Sequence, residues 1–275
     1  MRRVADIDRR NAEFWEELCG SSLARAVGIT DNRAESLSRF DHAYMTMYPY
    51  LASYVTSEDL SGKRALEIGL GYGTLGQFIA SHGCEYHGLD IAAAPVAMMR
   101  HRLALLGQDG EGRIQQGSVL DIPHPHGSFD YVYSIGCLHH TGNLQRAVSE
   151  VYRVLAPGGK AIVMLYHRHS FRRLLQVPVK WVRNALSKRR QYESFGEVVR
   201  ALYDANSKGE AAPHTDFVSR SDVRRLFSRF SEIRIDIQNF DTYMFLRGRI
   251  VIPREKLLNS LGRVLGTDLY VVAKK

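Results

Sequence analysis

Short apolar runs alternate with helical stretches between Arg64 and Tyr166. The apolar runs have the length of strands, and they are RALEIG, EYHGLDI, GRIQQGSVL, FDYVYSIGC and KAIVMLY. The stretches between them, such as TLGQFIASHG and NLQRAVSEVYRVLAPGG, have helical patterning. Strand and helix alternating at this spacing predict βαβ units, a parallel sheet and right-handed crossovers. We therefore predict an α/β fold with a doubly wound sheet, whose core is formed by residues 61–167.

Helices are predicted before this core. Tyr44, Met47, Tyr48 and Leu51 recur at steps of three and four residues, which is the spacing of one helix face. Residues 1–60 are therefore predicted to form an N-terminal helical cap.

The sheet pattern stops after Tyr166 and resumes later in the chain. The segments FRRLLQVPVKWVRNALSKRR and FGEVVRALYDA have helical patterning, so residues 168–217 are predicted to be a helical insertion. Residues 218–275 return to the core pattern. They contain a helix with Ser221 as its N-cap, a strand EIRIDIQNF, a helix that opens on Pro253 and a last strand DLYVVAKK.

The excess positive charge lies in one segment. The 275 residues contain 37 Lys and Arg against 29 Asp and Glu, which gives a formal net charge of +8. Between His167 and Tyr192 there is no acidic residue, and the basic residues are Arg168, Arg172, Arg173, Lys180, Arg183, Lys188, Arg189 and Arg190. A nucleic-acid-binding protein more often spreads its basic residues over a broad surface. We therefore expect no nucleic-acid partner.

Three roles are open for the basic segment, residues 168–190, in which Pro178 is predicted to kink the helix. An insertion after the fifth strand lies at the carboxyl edge of an open sheet, where ligands bind, so it could be a lid over a pocket. It could instead be a solvated face, or it could contact an anionic membrane surface. Of these roles the lid is favoured.

Cysteine spacing and hydropathy indicate the environment of the protein. Cys19, Cys84 and Cys137 stand far apart, which argues against a CxxC zinc site and against a disulfide framework. No apolar run approaches the ~18 residues of a membrane span, and the first residues lack the hydrophobic region of a signal peptide. We expect a cytoplasmic protein.

A glycine-rich turn follows the first predicted strand. Gly69, Gly71, Gly73 and Gly76 stand in ALEIGLGYGTLG, between a strand and a helix. Glycine is needed where the backbone bends with positive φ or approaches a ligand without a Cβ in the way. The string also satisfies the GxGxxG pattern of dinucleotide-binding folds. Taken alone, it leaves an NAD(P)-dependent oxidoreductase open.

Three acidic residues bear on the choice of cofactor. Asp90 ends the second predicted strand, where a carboxylate can accept both hydroxyls of a ribose. Asp121 closes the third predicted strand, where it could accept a hydrogen bond from an adenine amine. Glu67 would repel a nearby pyrophosphate, but it suits a ligand that bears an ammonium group and a sulfonium. The charges therefore favour a cationic cofactor.

Taken in order, the strings resemble the class I S-adenosylmethionine-dependent methyltransferases that act on small molecules. The match runs through ALEIGLGYGTLG, YHGLD, GSVLDIP, FDYVYSIGCLHHTGN and LAPGGKAIVMLYH. The resemblance implies a Rossmann-like seven-stranded sheet with its last strand antiparallel between the fifth and sixth, and S-adenosylmethionine as cofactor with S-adenosylhomocysteine as product. It also implies cofactor contacts from Glu67, Gly69, Gly71, Gly73, Asp90, Ile91, Leu120, Asp121 and Ser134.

Candidate catalytic and lid residues flank these strings. His139 and His140 directly follow the fourth predicted strand, where a general base would stand, although both could be structural instead. Tyr44, Tyr48 and Tyr50 could form a lid whose aromatic faces meet a cationic group, and His139 could also contact substrate. Alternatively, the tyrosines dock the N-terminal helices on the core.

The function expected from these features is methyl transfer to a nitrogen or oxygen atom of a small molecule by in-line displacement. No metal is expected, because His124 and His126 have no third ligand at metal spacing. Residues 134–137 lack the [DNS]PP[YFW] string with which amino-methylating DNA enzymes hold a flipped base, so a nucleic-acid substrate is not expected. Two alternatives stay open, an NAD(P)-dependent oxidoreductase and a non-catalytic cofactor-binding or membrane-associated partner protein.

Overall fold

A computed structural model describes residues 2–18, 21–57, 59–188, 190–245 and 249–275. Cys19 and Arg189, which the sequence singled out, lie outside the described residues. The strands are β1 (Arg64–Ile68), β2 (Glu85–Asp90), β3 (Ile114–Gln116), β4 (Phe129–Ile135), β5 (Leu155–Tyr166), β6 (Glu232–Gln238), β7 (Tyr243–Phe245), β8 (Ile250–Ile252) and β9 (Asp268–Lys274).

The helices lie on both sides of these strands. They are α1 (Arg2–Trp15), α2 (Ser21–Ala26), α3 (Ala34–Met47), α4 (Ser53–Thr56), α5 (Thr74–Ala80), α6 (Ala93–Leu105), α7 (Leu144–Val154), α8 (Val177–Leu186), α9 (Phe195–Tyr203), α10 (Arg220–Leu226), α11 (Arg254–Leu258) and α12 (Gly262–Leu265). A π-helical turn, Arg172–Gln176, leads into α8. Within the described ranges, no helix is both long and apolar enough to cross a membrane.

Seven strands form one sheet in the order β3-β2-β1-β4-β5-β9-β6. Neighbouring strands from β3 to β5 are parallel, while β9 runs antiparallel to both β5 and β6. This order confirms the predicted doubly wound sheet and the insertion of the last strand between the fifth and the sixth. The carboxyl ends of β1, β2 and β4 meet at one edge of the sheet.

Apolar side chains cover both faces of the sheet. On one face Val151 of α7 and Val223 of α10 pack with strand residues such as Val132. On the other face Ile79 and Met99, from α5 and α6, pack with the other side of the same strands. Because the strands are buried on both faces, their sequences are largely apolar runs, and these runs predict the strands.

The third strand is shorter than predicted. It ends at Gln116, and Val119–Asp121 form a 3₁₀ turn, so Asp121 does not close a strand. The physical reason is local, because the Ser118 hydroxyl oxygen accepts a hydrogen bond from the Leu120 amide at 3.2 Å and caps this turn. A side chain that bonds to its own backbone in this way competes with strand pairing.

The C-terminal part differs from the prediction in three places. The N-cap of α10 is Ser219 instead of Ser221, because Ser219 and Asp222 form a reciprocal capping box. The helix predicted from Pro253 is divided into α11 and α12, and a Cβ on Gly262 would lie 2.9 Å from the Leu257 carbonyl oxygen, where the chain turns back on itself. Strands β7 and β8 form a hairpin that was not predicted.

Candidate active site

A cavity of about 1010 Å³, including its open mouth, lies at the carboxyl ends of β1, β2 and β4. Its wall contains several of the residues that the sequence singled out, namely Tyr44, Glu67, Gly69, Gly71, Gly73, Asp90, Ile91 and His140. The rest of the wall comes from α1, α3 and the loops after β3 and β4. A cavity at this edge of a doubly wound sheet is where ligands of such folds bind.

Close packing explains two of the glycines in the turn. Gly69 has a φ of 85°, and a Cβ at that position would lie 2.6 Å from the Cβ of Cys137. Gly73 has a φ of 73°, and a Cβ there would lie 2.6 Å from the Arg102 side chain. A side chain would therefore be strained and would also displace its neighbours. The turn brings bare backbone to the cavity wall.

Asp90 ties the glycine turn to the end of β2. Its carboxylate oxygens accept hydrogen bonds from the Leu70 amide at 2.7 Å and from the Ala92 amide at 2.9 Å. Burial raises the pKa of Asp90 while these amide donors lower it. The Gly71 and Ile91 amides also lower it, so backbone donors surround this carboxylate, which lines the cavity wall. Asp90 therefore sits where it could accept the two hydroxyls of a ribose.

Glu67 places a second carboxyl group beneath the turn. Its side chain is buried, and the Tyr86 phenol donates a hydrogen bond to it. Burial raises the pKa of Glu67 to about 8, although the Tyr86 hydrogen bond and the charge of Arg102 oppose the shift. A cationic group in the cavity would favour the ionised form of Glu67.

Helix α1 supplies cavity residues that were not predicted. Asp8, Asn11 and Trp15 line the wall, and they lie on one helix face at steps of three and four residues. Asp8 accepts a hydrogen bond from the Ser118 hydroxyl at 2.7 Å, and Asn11 donates to the His140 carbonyl at 2.8 Å. The regular spacing was visible in the sequence, but nothing local indicated what this face contacts.

Helix α3 is fixed to the turn by an ion pair whose cation is buried and whose carboxylate is partly exposed. Arg102 is fully buried, and its guanidinium donates to both carboxylate oxygens of Asp41 at 2.8 and 2.9 Å. The Thr74 hydroxyl, in the first turn of α5, also donates to Asp41. The rings of Phe40 and Tyr72 stack above this pair with centroids 4.3 Å apart. The cap and the glycine turn thus form one packed unit.

Several predicted contact residues do not line the cavity. Leu120 packs against the core cluster, and Asp121 is exposed on its 3₁₀ turn. Ser134 is fully buried and donates to the Ile68 carbonyl at 3.1 Å. The neighbouring positions Ser118 and Ile135 take their places in the wall.

Only one of the three candidate lid tyrosines reaches the cavity. Tyr44 lines the wall, while Tyr48 packs against Tyr44 with ring centroids 4.9 Å apart. Tyr50 packs edge-on against Tyr270 of β9 at 5.4 Å. Tyr48 and Tyr50 therefore dock the N-terminal helices on the sheet.

The histidine pair faces the insertion more than the cavity. His139 is fully enclosed against the Tyr166 ring, 4.1 Å away between centroids, and it is absent from the cavity wall. His140 lines the wall, but its Nδ1 lies 2.7 Å from the His214 carbonyl and its Nε2 lies 3.6 Å from the Asp204 carboxylate. Burial lowers the pKa of both rings, that of His139 the more strongly. Neither ring nitrogen of His140 is aimed at a ligand in the cavity.

The described residues of the insertion contact the site through the histidine pair and do not line the cavity. Asp204, His214 and Asp216 contact the histidine pair, but no described residue of 168–217 lines the cavity. In this structure the insertion does not cover the cavity as the predicted lid would. That position is taken by α1 instead.

The lining residues fit S-adenosylmethionine. Asp8, Glu67 and Asp90 place three carboxyl groups in the wall, and among the described lining residues there is no Lys or Arg. The bare glycine backbone leaves room for a ligand, and apolar side chains such as Leu89 and Pro95 provide a surface for a planar base. A cationic ligand suits this donor set, whereas a pyrophosphate would find no basic partner.

Comparison with known proteins agrees with this fit. Residues 66–163 match the family model described as a methyltransferase domain. The chain is 33% identical over 118 residues to phthiotriol/phenolphthiotriol dimycocerosates methyltransferase 1 of Mycobacterium ulcerans, covering 42% of this chain and 41% of that protein. It is 25% identical over 172 residues to the probable chloroplastic tocopherol O-methyltransferase of Oryza sativa, covering 60% and 47%. The chain thus spans less than half the length of these curated relatives.

A solved structure extends the likeness in fold to nearly the whole chain. Magnesium protoporphyrin IX methyltransferase from Synechocystis, crystallised with bound S-adenosylhomocysteine, superposes with a TM-score of 0.58. The match covers 98% of this chain and 99% of that one at 13% sequence identity. Together with the domain match, this agreement confirms the predicted family and, with it, the predicted cofactor. Residues 66–163 thus belong to a methyltransferase domain family, and the chain has the fold of the class I S-adenosylmethionine-dependent methyltransferases.

Proposed function

We propose that this protein transfers the methyl group of S-adenosylmethionine to an oxygen or nitrogen atom of a small molecule. The observation that carries the proposal is the charge of the cavity wall. In a chain with a net charge of +8, the wall has three carboxyl groups and, in the described part of the chain, no basic side chain. Such a wall attracts a sulfonium and an ammonium group and repels the pyrophosphate of NAD(P).

The residues of the cavity would hold the cofactor in an order set by their places in the fold. S-adenosylmethionine supplies an electrophilic methyl group on a positively charged sulfur. Asp90 would accept the ribose hydroxyls, and Glu67 would accept the ammonium group. We assign the acid on the adenine side to Asp8, beside Ser118, because Asp121 lies outside the wall.

The acceptor would occupy the part of the cavity between α1, α3 and the end of β4. Trp15, Tyr44, Ile135 and the ring face of His140 give this part an aromatic and apolar wall. The rice relative is a probable tocopherol O-methyltransferase, which supports an acceptor oxygen on a largely apolar molecule. Nitrogen stays the alternative.

Catalysis would rest mainly on positioning and on exclusion of water. Methyl transfer is an in-line displacement, so a wall that fixes the acceptor close to the methyl group supplies much of the rate. His140 would act as part of that wall, since its nitrogens face Asp204 and His214. A base role for His139 or His140 is therefore not part of the proposal.

Calorimetry and a turnover assay test the proposal in sequence. We expect S-adenosylhomocysteine to bind and NADH not to bind. The reverse result would overturn the methyltransferase proposal in favour of the oxidoreductase. Transfer of a labelled methyl group to a panel of apolar phenols and amines would then identify the acceptor class. Cofactor binding with no turnover on any member would favour the non-catalytic alternative.

A further inference from the structure

One side of α8 exposes a stripe of apolar side chains. Leu175, Val179, Val182 and Leu186 are exposed, Leu186 to 81%. Val179, Val182 and Leu186 follow one another at steps of three and four residues, which places them along a single face of α8, and Leu175 is exposed in the π-helical turn just before it. We refer to these four residues as the α8 stripe.

The opposite side of the same helix is firmly packed. Val177 is fully buried in a small apolar cluster with Val198 and Val199 of α9. The Asn184 amide group is buried and donates to the Tyr192 carbonyl at 2.9 Å. The helix therefore has its own inner face, and the α8 stripe is the outer one. Within the described ranges, the four stripe residues belong to none of the buried apolar clusters.

Four cations lie next to the stripe or follow it, and the Lys180 ammonium lies over the Tyr192 ring, 5.2 Å from its centroid. Lys180 and Arg183 are on the flank of α8, and Lys188 and Arg190 follow its end. Arg168 and Arg172 form ion pairs with Asp222 and Asp241, but the four cations beside the stripe form no ion pair with any described residue. Among the described residues, no acidic side chain pairs with these four cations.

The β7–β8 hairpin adds a second apolar surface near the start of α8. Met244 and Val251 face each other across the hairpin, and both are exposed. The hairpin is attached to the π-helical turn, because Gln176 donates to the Tyr243 hydroxyl at 3.0 Å. The apolar exposure is thus not confined to one helix.

We propose that the α8 stripe and its flanking cations bind the surface of an anionic lipid bilayer. A helix with this pattern lies in the plane of the interface, with apolar side chains at the acyl boundary and cations among the headgroups. A second copy of the chain on the same face would bring like charges together, so charge complementarity favours the anionic surface. The proposal does not depend on the proposed function, because vesicle binding needs no turnover.

Flotation of the full chain with vesicles tests this. We expect it to bind vesicles of phosphatidylcholine mixed with phosphatidylglycerol, to bind vesicles of phosphatidylcholine alone much more weakly, and to be released by salt. The double variant Lys180→Gln/Arg183→Gln should lower the partition coefficient roughly thirty-fold, since each cation near the surface contributes about a factor of five. The double variant Val179→Ser/Val182→Ser should also weaken binding.

Matched controls use exposed residues elsewhere. Leu105→Ser removes an exposed apolar side chain of α6, and Arg10→Gln/Lys63→Gln removes two exposed cations, so these variants should float like the wild type. Absence of binding to anionic vesicles, or equal loss in the control variants, would overturn the proposal. A wild-type dimer that Val179→Ser/Val182→Ser makes monomeric, without vesicle binding, would overturn it in favour of a second copy.

Discussion

The Tyr86 phenol donates a hydrogen bond to the Glu67 carboxyl group beneath the glycine turn. Both side chains are buried, and a Cβ on Gly76 would collide with the paired oxygen atoms of both. The third glycine of the GxGxxG string is thus needed for close packing of α5 on this pair. Burial raises the pKa of Glu67 to about 8, and the hydrogen bond from Tyr86 opposes this shift.

Binding of S-adenosylhomocysteine should therefore release a proton near pH 7. A carboxyl group with a pKa of about 8 is mostly protonated at that pH, and an ammonium group placed beside it favours the ionised form. We expect the wild type to release close to one proton per ligand, a value set by this pKa. Calorimetry in buffers of different ionisation enthalpy measures it directly.

Glu67→Gln is the matched variant for this measurement. It keeps a hydrogen-bond acceptor for Tyr86 but cannot release a proton, so we expect no proton release and roughly tenfold weaker binding. At pH 7 the α-amino group of the ligand is already mostly protonated before binding, so it can take up only a small fraction of a proton. Equal proton release in both would show that Glu67 does not meet the ammonium group.

Substitutions of Asp8 and of Asp121 are expected to differ in their effect on cofactor binding. Asp8 lines the cavity and Asp121 is exposed outside it. Asp8→Asn should weaken S-adenosylhomocysteine binding roughly tenfold, the value of one charge-assisted hydrogen bond, while Asp121→Asn should change it little. Calorimetry on both variants checks the pair. Weaker binding in Asp121→Asn alone would restore the assignment that the family resemblance implied.

The core could be predicted because its signals are local. The strands of a doubly wound sheet are apolar on both faces, and a glycine turn with positive φ leaves its mark within a few residues. Once the family was recognised, even the antiparallel position of β9 could be predicted. Glu67, Gly69 and Asp90 lie within this local pattern, and all three reach the cavity.

The parts that escaped prediction depend on contacts between distant segments. The bond from Asn11 to the His140 carbonyl spans 129 residues, and the bond from Ser118 to Asp8 spans 110. The periodicity of the sequence predicts that one side of α1 packs against the protein, but it does not predict which residues that side contacts. The insertion was expected over the cavity for the same reason, since its charge and helicity say nothing about its partners.

The Asp41–Arg102 pair should contribute strongly to stability. Arg102 is fully buried, so Asp41→Ala leaves a buried guanidinium without its carboxylate and should lower the free energy of unfolding by about 3 kcal/mol. The exposed pair between Asp6 and Arg9 provides a control, since Asp6→Ala should leave the free energy of unfolding nearly unchanged. Urea unfolding measures both.

A second substitution separates lost charge from lost packing. Arg102→Met in the Asp41→Ala background removes the orphaned guanidinium, so most of the lost stability should return. An Asp41→Ala variant as stable as the wild type would contradict the view that this pair joins the cap to the turn.

The buried histidines should make the protein less stable in mild acid. Burial lowers the pKa of His139 and His140 in the folded chain, while an unfolded histidine titrates near its usual value of about 6.5. As the pH falls below that value the unfolded chain takes up protons that the folded chain does not, so stability is lost, by up to about 1.4 kcal/mol per pH unit for each ring.

His139→Phe keeps an aromatic ring against Tyr166 but removes one titrating group. The decline of its unfolding free energy with falling pH should therefore be shallower by about one proton than in the wild type, as read from urea midpoints across the acid range. His126→Gln, at an exposed position, should leave the slope unchanged. An unchanged slope in His139→Phe would mean that His139 takes up its proton without unfolding.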